Sequence, residues 1–140
     1  MLNAGVLAIL SGLAAQALKV VLEAVRHRRW RPELFFTNGG MPSSHTASVV
    51  TLAVLVGDQA GVHAPVFSLV LVFALYVVFE ATGLRQEVGQ QARLLNDVVE
   101  SMRRTHHLAA TDLREFVGHT WAEVAGGVVC GVLFALPFLR

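Results

Sequence analysis

The residues most suited to chemistry in this chain are a histidine and a glutamate four positions apart, His119 and Glu123. On a helix this spacing puts both side chains on one face, with their Cβ atoms about 5–6 Å apart. A carboxylate there can bind one imidazole nitrogen and leave the other as a nucleophile or a base. Thr120 and Glu123 also have the spacing of a capping box, and a Glu123 folded back on the cap is less free to orient His119.

A second polar cluster runs from Asn38 to His45, directly before an apolar stretch. Pro42 favours a helix start, and Ser43 or Ser44 can cap that helix. The N-terminus of a helix offers unpaired N–H groups and a positive dipole end, which often bind phosphate. His45 would stand in the first turn, facing such an anion. A well-capped helix with an interfacial histidine explains these residues equally well.

Cations for an anion site occur on two other segments. Arg85 follows the longest apolar run, where it could hold phosphate oxygens in a bidentate fork or act as an interfacial basic residue. Glu80 borders the same run, and an acid in that place normally has a partner or a task. Lys19 and Arg26 are seven residues apart, so they can share a helical stripe. Snorkelling towards water fits Lys19 somewhat better than contact with a ligand.

The helices that must position these residues are indicated by long stretches of sequence without charged side chains. The 140-residue chain is 54% hydrophobic and 15% charged, with a mean hydropathy of +0.58. Only one uncharged stretch, at about 31 Å as a helix, can cross a hydrocarbon core of about 30 Å unaided, and the others need flanking residues. The four long stretches without Asp, Glu, Lys or Arg are Met1 to Leu18, Thr46 to Gly57, Gln59 to Phe79 and Val124 to Leu139.

We therefore predict an all-α integral membrane bundle of about four transmembrane helices, the second and fourth short, forming a single domain over residues 1–140. A soluble helical bundle with apolar core helices is the less favoured alternative. The first stretch has no basic residue ahead of it, which favours a retained helix over a signal peptide.

The basic residues fall on one side of such a bundle. Nine of the eleven follow the first helix or lie between the third and the fourth. The positive-inside rule places both loops, with the polar clusters, in the cytoplasm and both termini on the opposite side. From Glu87 to Arg104, apolar residues recur at helical spacing. This pattern predicts an amphipathic helix at the membrane surface or a solvated helix packed on its neighbours.

Composition excludes several other classes. A formal net charge of +1 gives no basic face of the kind that nucleic-acid binders need. Cys130 is the only cysteine, which excludes a disulfide within the chain and a zinc site built from several cysteines. His106 and His107 are adjacent and would face different ways on a helix, so we expect no metal site there.

Taken together and in order, these clusters match a known pattern. Its core is Pro42-Ser43-Ser44-His45 followed by Gly118-His119-Thr120-Trp121-Ala122-Glu123. It is accompanied by Gly39-Gly40-Met41, Gly83-Leu84-Arg85 and Gln91-Ala92-Arg93-Leu94-Leu95-Asn96. With this set the chain resembles the small divergent branch of the type 2 phosphatidic acid phosphatase family, from about Lys19 to Leu136.

The wider family has Lys-x6-Arg-Pro, Pro-Ser-Gly-His and Ser-Arg-x5-His-x3-Asp segments. This chain keeps the spacing of the first two segments and of the final His-x3-Asp, with His27 in place of the proline, Ser44 in place of the glycine and Glu123 as the final acid. The Ser-Arg element is absent, because Asp112 and Leu113 occupy its positions. The residues that could replace its arginine are Arg85, which ends a membrane helix and is preferred, and Arg114.

The resemblance implies metal-independent hydrolysis of a phosphomonoester through a phosphohistidine, without a cofactor. By position, it makes His119 the nucleophile, Glu123 the acid that orients it and His45 the general acid for the leaving alcohol. The phosphate ligands that it implies are Lys19, Arg26, Ser43, Ser44 and Arg85.

The leading hypothesis is thus a membrane phosphatase that acts on a lipid or polyprenyl phosphate. A non-catalytic membrane protein that binds or moves anionic phospholipids is the main alternative, motivated by the missing Ser-Arg element, and a structural membrane subunit is a third. The expected partners are membrane lipids and not nucleic acid, and the sequence leaves a homo-oligomer open.

Overall fold

The computed structural model describes residues 3–36, 39–106 and 119–140, apart from the side chains of 84–86 and 104–106. The chain in these ranges is helical and contains no strand, as predicted. The four α-helices are α1 (Ala4–His27), α2 (Ser44–Ala60), α3 (Pro65–His106) and α4 (Trp121–Ala135). Two short 3-10 helices, Pro32–Phe36 and Leu136–Phe138, follow α1 and α4.

Three of the four α-helices begin at a side chain that accepts hydrogen bonds from the first N–H groups, and the fourth begins at a proline. The side chains of Asn3, Ser43 and Thr120 accept hydrogen bonds from the first turns of α1, α2 and α4. α3 begins at Pro65, which has no N–H to satisfy. α2 ends at Ala60, and the next residue, Gly61, caps it with a φ of 84° that glycine adopts without strain.

α2 is the centre of the bundle and packs against each of the other three helices. Small residues bring the backbones close together at these interfaces. A Cβ atom at Gly127 of α4 would lie only 2.6 Å from the carbonyl oxygen of Ser43, and Gly131 approaches α2 in the same way. From α1, a Cβ at Gly12 would collide with the Ser48 hydroxyl. Such close approach through small residues is typical of helix pairs in membranes.

Two buried hydroxyl groups connect α1, α2 and α4 in the middle of the bundle. Thr51 of α2 donates to the carbonyl oxygen of Gly131 in α4, at 2.9 Å. The Thr51 oxygen also lies 2.8 Å from the hydroxyl oxygen of Ser11 in α1. Both hydroxyl-bearing residues are fully buried. Because their hydrogen bonds cross from helix to helix, they fix the relative positions of the three backbones.

The outer faces of the bundle are apolar, as a bilayer requires. Ile9, Leu69, Tyr76 and Leu133 are all more than half exposed. The described chain has three segments long and apolar enough to cross a membrane, Ala4–His27, Pro65–Arg103 and Trp121–Phe138. α2 has 17 residues and α4 has 15, which confirms that the second and fourth helices are short. The fold is therefore that of an integral membrane protein.

α3 runs further than the sequence pattern indicated. The segment from Glu87 to Arg104 is helical, as predicted, but it continues directly from the apolar half of α3 and is not a separate helix. The 42 residues of α3 correspond to about 63 Å, twice the thickness of a hydrocarbon core. After Pro65 this helix contains no proline, so nothing in the backbone chemistry forces it to end.

Candidate active site

His119 and Glu123 meet at the start of α4. The Nδ1 atom of His119 lies 3.0 Å from Oε2 of Glu123. The imidazole is almost completely buried, with 2% of the side chain exposed, whereas the Glu123 side chain is 21% exposed. His119 precedes the cap residue Thr120 and is not itself helical. The pair predicted from helical spacing therefore forms through the turn that leads into the helix.

The same carboxylate also completes the capping box. Oε2 of Glu123 accepts a hydrogen bond from the backbone N–H of Thr120 at 3.1 Å, and the Thr120 hydroxyl accepts one from the Glu123 N–H at 3.3 Å. The two interpretations of this motif thus coexist, because one oxygen atom serves both the cap and the imidazole. A negative charge in the first turn is also favoured by the helix dipole.

The loop before α2 docks on α4 beside this pair. The backbone N–H of Ser43 donates to the carbonyl oxygen of Glu123 at 3.0 Å. The buried Ser43 hydroxyl caps α2 by accepting from the N–H of Thr46 at 3.4 Å and from its hydroxyl at 3.0 Å. Both polar groups of Ser43 are therefore used in packing. Of the two serine amides predicted to bind phosphate, that of Ser43 is therefore occupied, whereas that of Ser44 makes no such hydrogen bond in the described part of the chain.

Lys19 of α1 is drawn into the same region. Its side chain is 5% exposed, so it does not snorkel to the outside of the bundle. The aliphatic stem packs against Gly40, where an added Cβ would lie 3.2 Å from the lysine Cδ, and the φ of Gly40 is +87°. The Glu123 carboxylate acts on the Lys19 ammonium by electrostatic attraction. A buried cation therefore accompanies the buried imidazole.

Two other predicted site residues, His45 and Arg26, have exposed side chains. His45 is in the first turn of α2, two residues after Ser43, and its side chain is exposed. Arg26 is exposed in the last turn of α1. It lies about 10 Å beyond Lys19 along the helix axis. Within the described ranges, no hydrogen bond joins Arg26 to His119 or Glu123.

α3 reaches the cluster through its backbone. The N–H of His119 donates to the carbonyl oxygen of Ala81 at 3.0 Å, so α3 and α4 together hold the histidine. Arg85 follows Ala81 by one helical turn, but its side chain lies outside the described residues. Arg114 and Gly118 also lie outside them. Glu80 is on α3 next to Ala81, with an exposed side chain.

Several contributors to the site were not predicted from the sequence. The Ala81 carbonyl has no sequence signal, since every residue carries one. Gly40 and Gly127 did leave signals, as part of a glycine pair before Pro42 and as the start of a Gly-x3-Gly spacing in α4. Within the described ranges, no group of three or more His, Cys, Asp and Glu side chains could hold a metal ion. The assembled groups are suited to binding an anion beside an oriented imidazole.

Comparison with known proteins places this arrangement in a family. The family described as "Divergent PAP2 family" matches residues 3–134, which include all of the candidate site. The "Uncharacterized membrane protein YuiD" of Bacillus subtilis (strain 168) is 33% identical over 143 residues, covering 91% of this chain and 90% of that relative. No solved structure matches the chain. With most of its length matched and its motifs assembled at one end of a helical bundle, the chain belongs to the Divergent PAP2 family.

Proposed function

We propose that this protein is a membrane phosphatase that hydrolyses the phosphomonoester of a lipid or polyprenyl phosphate. The observation that carries the proposal is the buried imidazole of His119, held 3.0 Å from the Glu123 carboxylate, which also attracts the buried Lys19 ammonium electrostatically. Membership of the Divergent PAP2 family and the apolar outer faces of the bundle support a substrate that is itself a membrane lipid.

Each group has a role that its chemistry can perform. Glu123 accepts a hydrogen bond from the Nδ1–H of His119, and this tautomer has its lone pair on Nε2 for attack on phosphorus. Lys19 and the Ser44 amide at the start of α2 bind the phosphate oxygens, helped by the positive end of the helix. Arg26 and Arg85 add charge from α1 and α3. We place these groups on the cytoplasmic side and both termini on the opposite side, following the positive-inside rule.

Hydrolysis then takes two steps. The Nε2 lone pair of His119 attacks phosphorus, the bond from phosphorus to the ester oxygen breaks, and protonated His45 gives its proton to the leaving alcohol. A water molecule next attacks phosphorus while His45 takes one of its protons. The bond from phosphorus to Nε2 breaks, its electron pair returns to His119, and inorganic phosphate leaves. Fixed cations and amides stabilise the charge in both transition states.

The test is phosphate release in phosphatidylcholine vesicles containing EDTA, with farnesyl phosphate and phosphatidate as substrates. We expect His119→Ala to lower the rate by about a thousandfold or more. The matched control is His63→Ala, because His63 is an exposed histidine in the turn between α2 and α3. Radiolabel on His119 after an alkaline quench would identify the intermediate. Wild-type rates in both His119→Ala and His45→Ala would refute the proposal.

One observation favours a second candidate. Asp112 and Leu113 stand where the wider family has its Ser-Arg element, so an arginine expected at the phosphate is missing from that place. A protein that binds or moves anionic phospholipids needs the phosphate site without the chemistry. Binding of phosphatidate without turnover, retained in His119→Ala and lost in Arg85→Ala, would favour this candidate over the phosphatase.

A further inference from the structure

An apolar groove runs along α4, and its head lies next to the segments that carry the candidate site. It has a volume of about 730 Å³ and is open on one side. One face of α4 forms its length, from Ala122 to Phe134, and Leu18 and Leu22 of α1 form the opposite wall. The distance along α4 from Ala122 to Phe134 is about 18 Å, close to one leaflet of a hydrocarbon core about 30 Å thick.

Three residues that line the head of the groove are chain neighbours of site residues. Leu18 precedes Lys19, Pro42 precedes Ser43, and Ala122 precedes Glu123. The apolar lining therefore changes within one residue, on each of three segments, to the polar groups of the site. A molecule that fills both parts must have a hydrocarbon portion joined directly to an anionic head.

From this continuity we propose that the groove is the binding site for a single hydrocarbon chain of a lipid phosphate, whose phosphate lies among Lys19, Ser44 and His119. The proposal rests on the proposed function for the identity of the head group. The lining of the groove is almost entirely apolar and the groove is open on one side, so a flexible hydrocarbon chain can enter it from the bilayer and lie along α4.

A cysteine in the wall of the groove allows its occupancy to be measured. Cys130 is the only cysteine of the chain and lines the groove two turns below Ala122. A bound hydrocarbon chain covers it. Alkylation by N-ethylmaleimide, followed by mass spectrometry on the full-length protein in phosphatidylcholine vesicles, therefore measures whether the groove is filled. The probes are dodecylphosphonate, which has no ester bond to hydrolyse, and dodecanol, which has the same chain without the anionic head.

We expect saturating dodecylphosphonate to slow alkylation of Cys130 about tenfold, and dodecanol to slow it less than about twofold. Equal protection by the alcohol would show that ordinary bilayer lipid occupies the groove. That outcome, or no protection by either probe, would overturn the proposal.

Two adjacent valines provide a matched pair of variants. Val129 lines the groove, whereas Val128 is partly exposed on α4 and does not line it. Val129→Trp should abolish protection by dodecylphosphonate and lower hydrolysis of farnesyl phosphate about tenfold, while Val128→Trp should leave both unchanged. If the wild-type protein shows protection of Cys130 but no hydrolysis, the proposed role of the groove stands and the proposed phosphatase activity is wrong. If it shows hydrolysis but no protection, the phosphatase activity stands and the proposed role of the groove is wrong.

Discussion

Glycines have different surroundings in two regions of the molecule. One region is formed by α1, α2 and α4, and the other is the long helix α3. In the first region, a Cβ at Gly127 would meet the Ser43 carbonyl oxygen at 2.6 Å, so two backbones touch. At Gly83 of α3, a Cβ would meet nothing within 4 Å. The candidate site receives side chains from the closely packed region and a described carbonyl contact, at Ala81, from α3. Close backbone packing is therefore what holds the site, and α3 supports it from one side.

The largest expected effect tests whether the packed region carries the chemistry. Glu123→Gln removes the charge that orients His119, and we expect kcat to fall about a hundredfold or more. Thr120→Ala removes the capping hydroxyl but keeps both bonds to Oε2, and we expect a fall of less than about fivefold. Initial rates of phosphate release measure both. The opposite ranking would make the cap, and not the pair, the reason for this motif.

The next effect is on stability and compares the two glycines directly. Gly127→Ala places a methyl group against the Ser43 backbone and should cost about 2–3 kcal/mol. Gly83→Ala adds a methyl group where nothing lies nearby, inside a helix, and should be neutral or stabilising by up to about 1 kcal/mol. Reversible unfolding in mixed detergent micelles gives both values. Similar values for the two variants would remove the distinction between the regions.

A smaller effect separates the buried cation from the exposed one. Lys19→Met keeps the length of the side chain and removes its charge beside Glu123, so we expect inhibition by inorganic phosphate to weaken about tenfold. Arg26→Met removes an exposed charge that solvent screens, and the expected change is less than about threefold. Inhibition constants at fixed ionic strength are the measurement. Equal losses would extend the phosphate site along α1.

The smallest effect compares two threonines. The Thr51 hydroxyl bonds between helices, whereas that of Thr82 bonds to Val78 and Phe79 of its own helix α3. We expect Thr51→Val to cost about 0.6–1.7 kcal/mol, the range found for hydrogen bonds between membrane helices. Thr82→Val should change the free energy of unfolding by less than about 0.5 kcal/mol. The same unfolding assay applies, and a larger loss at Thr82 would contradict the expectation that hydrogen bonds between helices stabilise the bundle more than bonds within one helix.

What could be predicted from the sequence was what depends on local spacing. The gaps between charges predicted the helices, and the interval between His119 and Glu123 predicted their contact, which forms across the capping turn at the start of α4. Both interpretations of Glu123 were available from the sequence. That a single oxygen satisfies both depends on the position of His119 before the cap, which spacing alone does not define.

The burial of Lys19 could not be predicted, because it depends on the distant segment that packs over it. The lysine stem lies against Gly40, and that contact forms only when the loop before α2 docks on α1. The continuity of α3 was missed for a different reason. The pattern changes from apolar to amphipathic after Glu80, which suggests a boundary, yet hydrophobic periodicity reports the surroundings of a helix and not its ends.

The shared oxygen of Glu123 makes assembly of the site a cooperative event. If the first turn of α4 frays, the carboxylate is released from the Thr120 amide and from the imidazole together. Glu123 therefore loses the helix cap and the imidazole in one event, so fraying of α4 shortens the helix and removes the orienting carboxylate from His119 at the same time. The backbone of His119 keeps its separate hydrogen bond to Ala81 of α3.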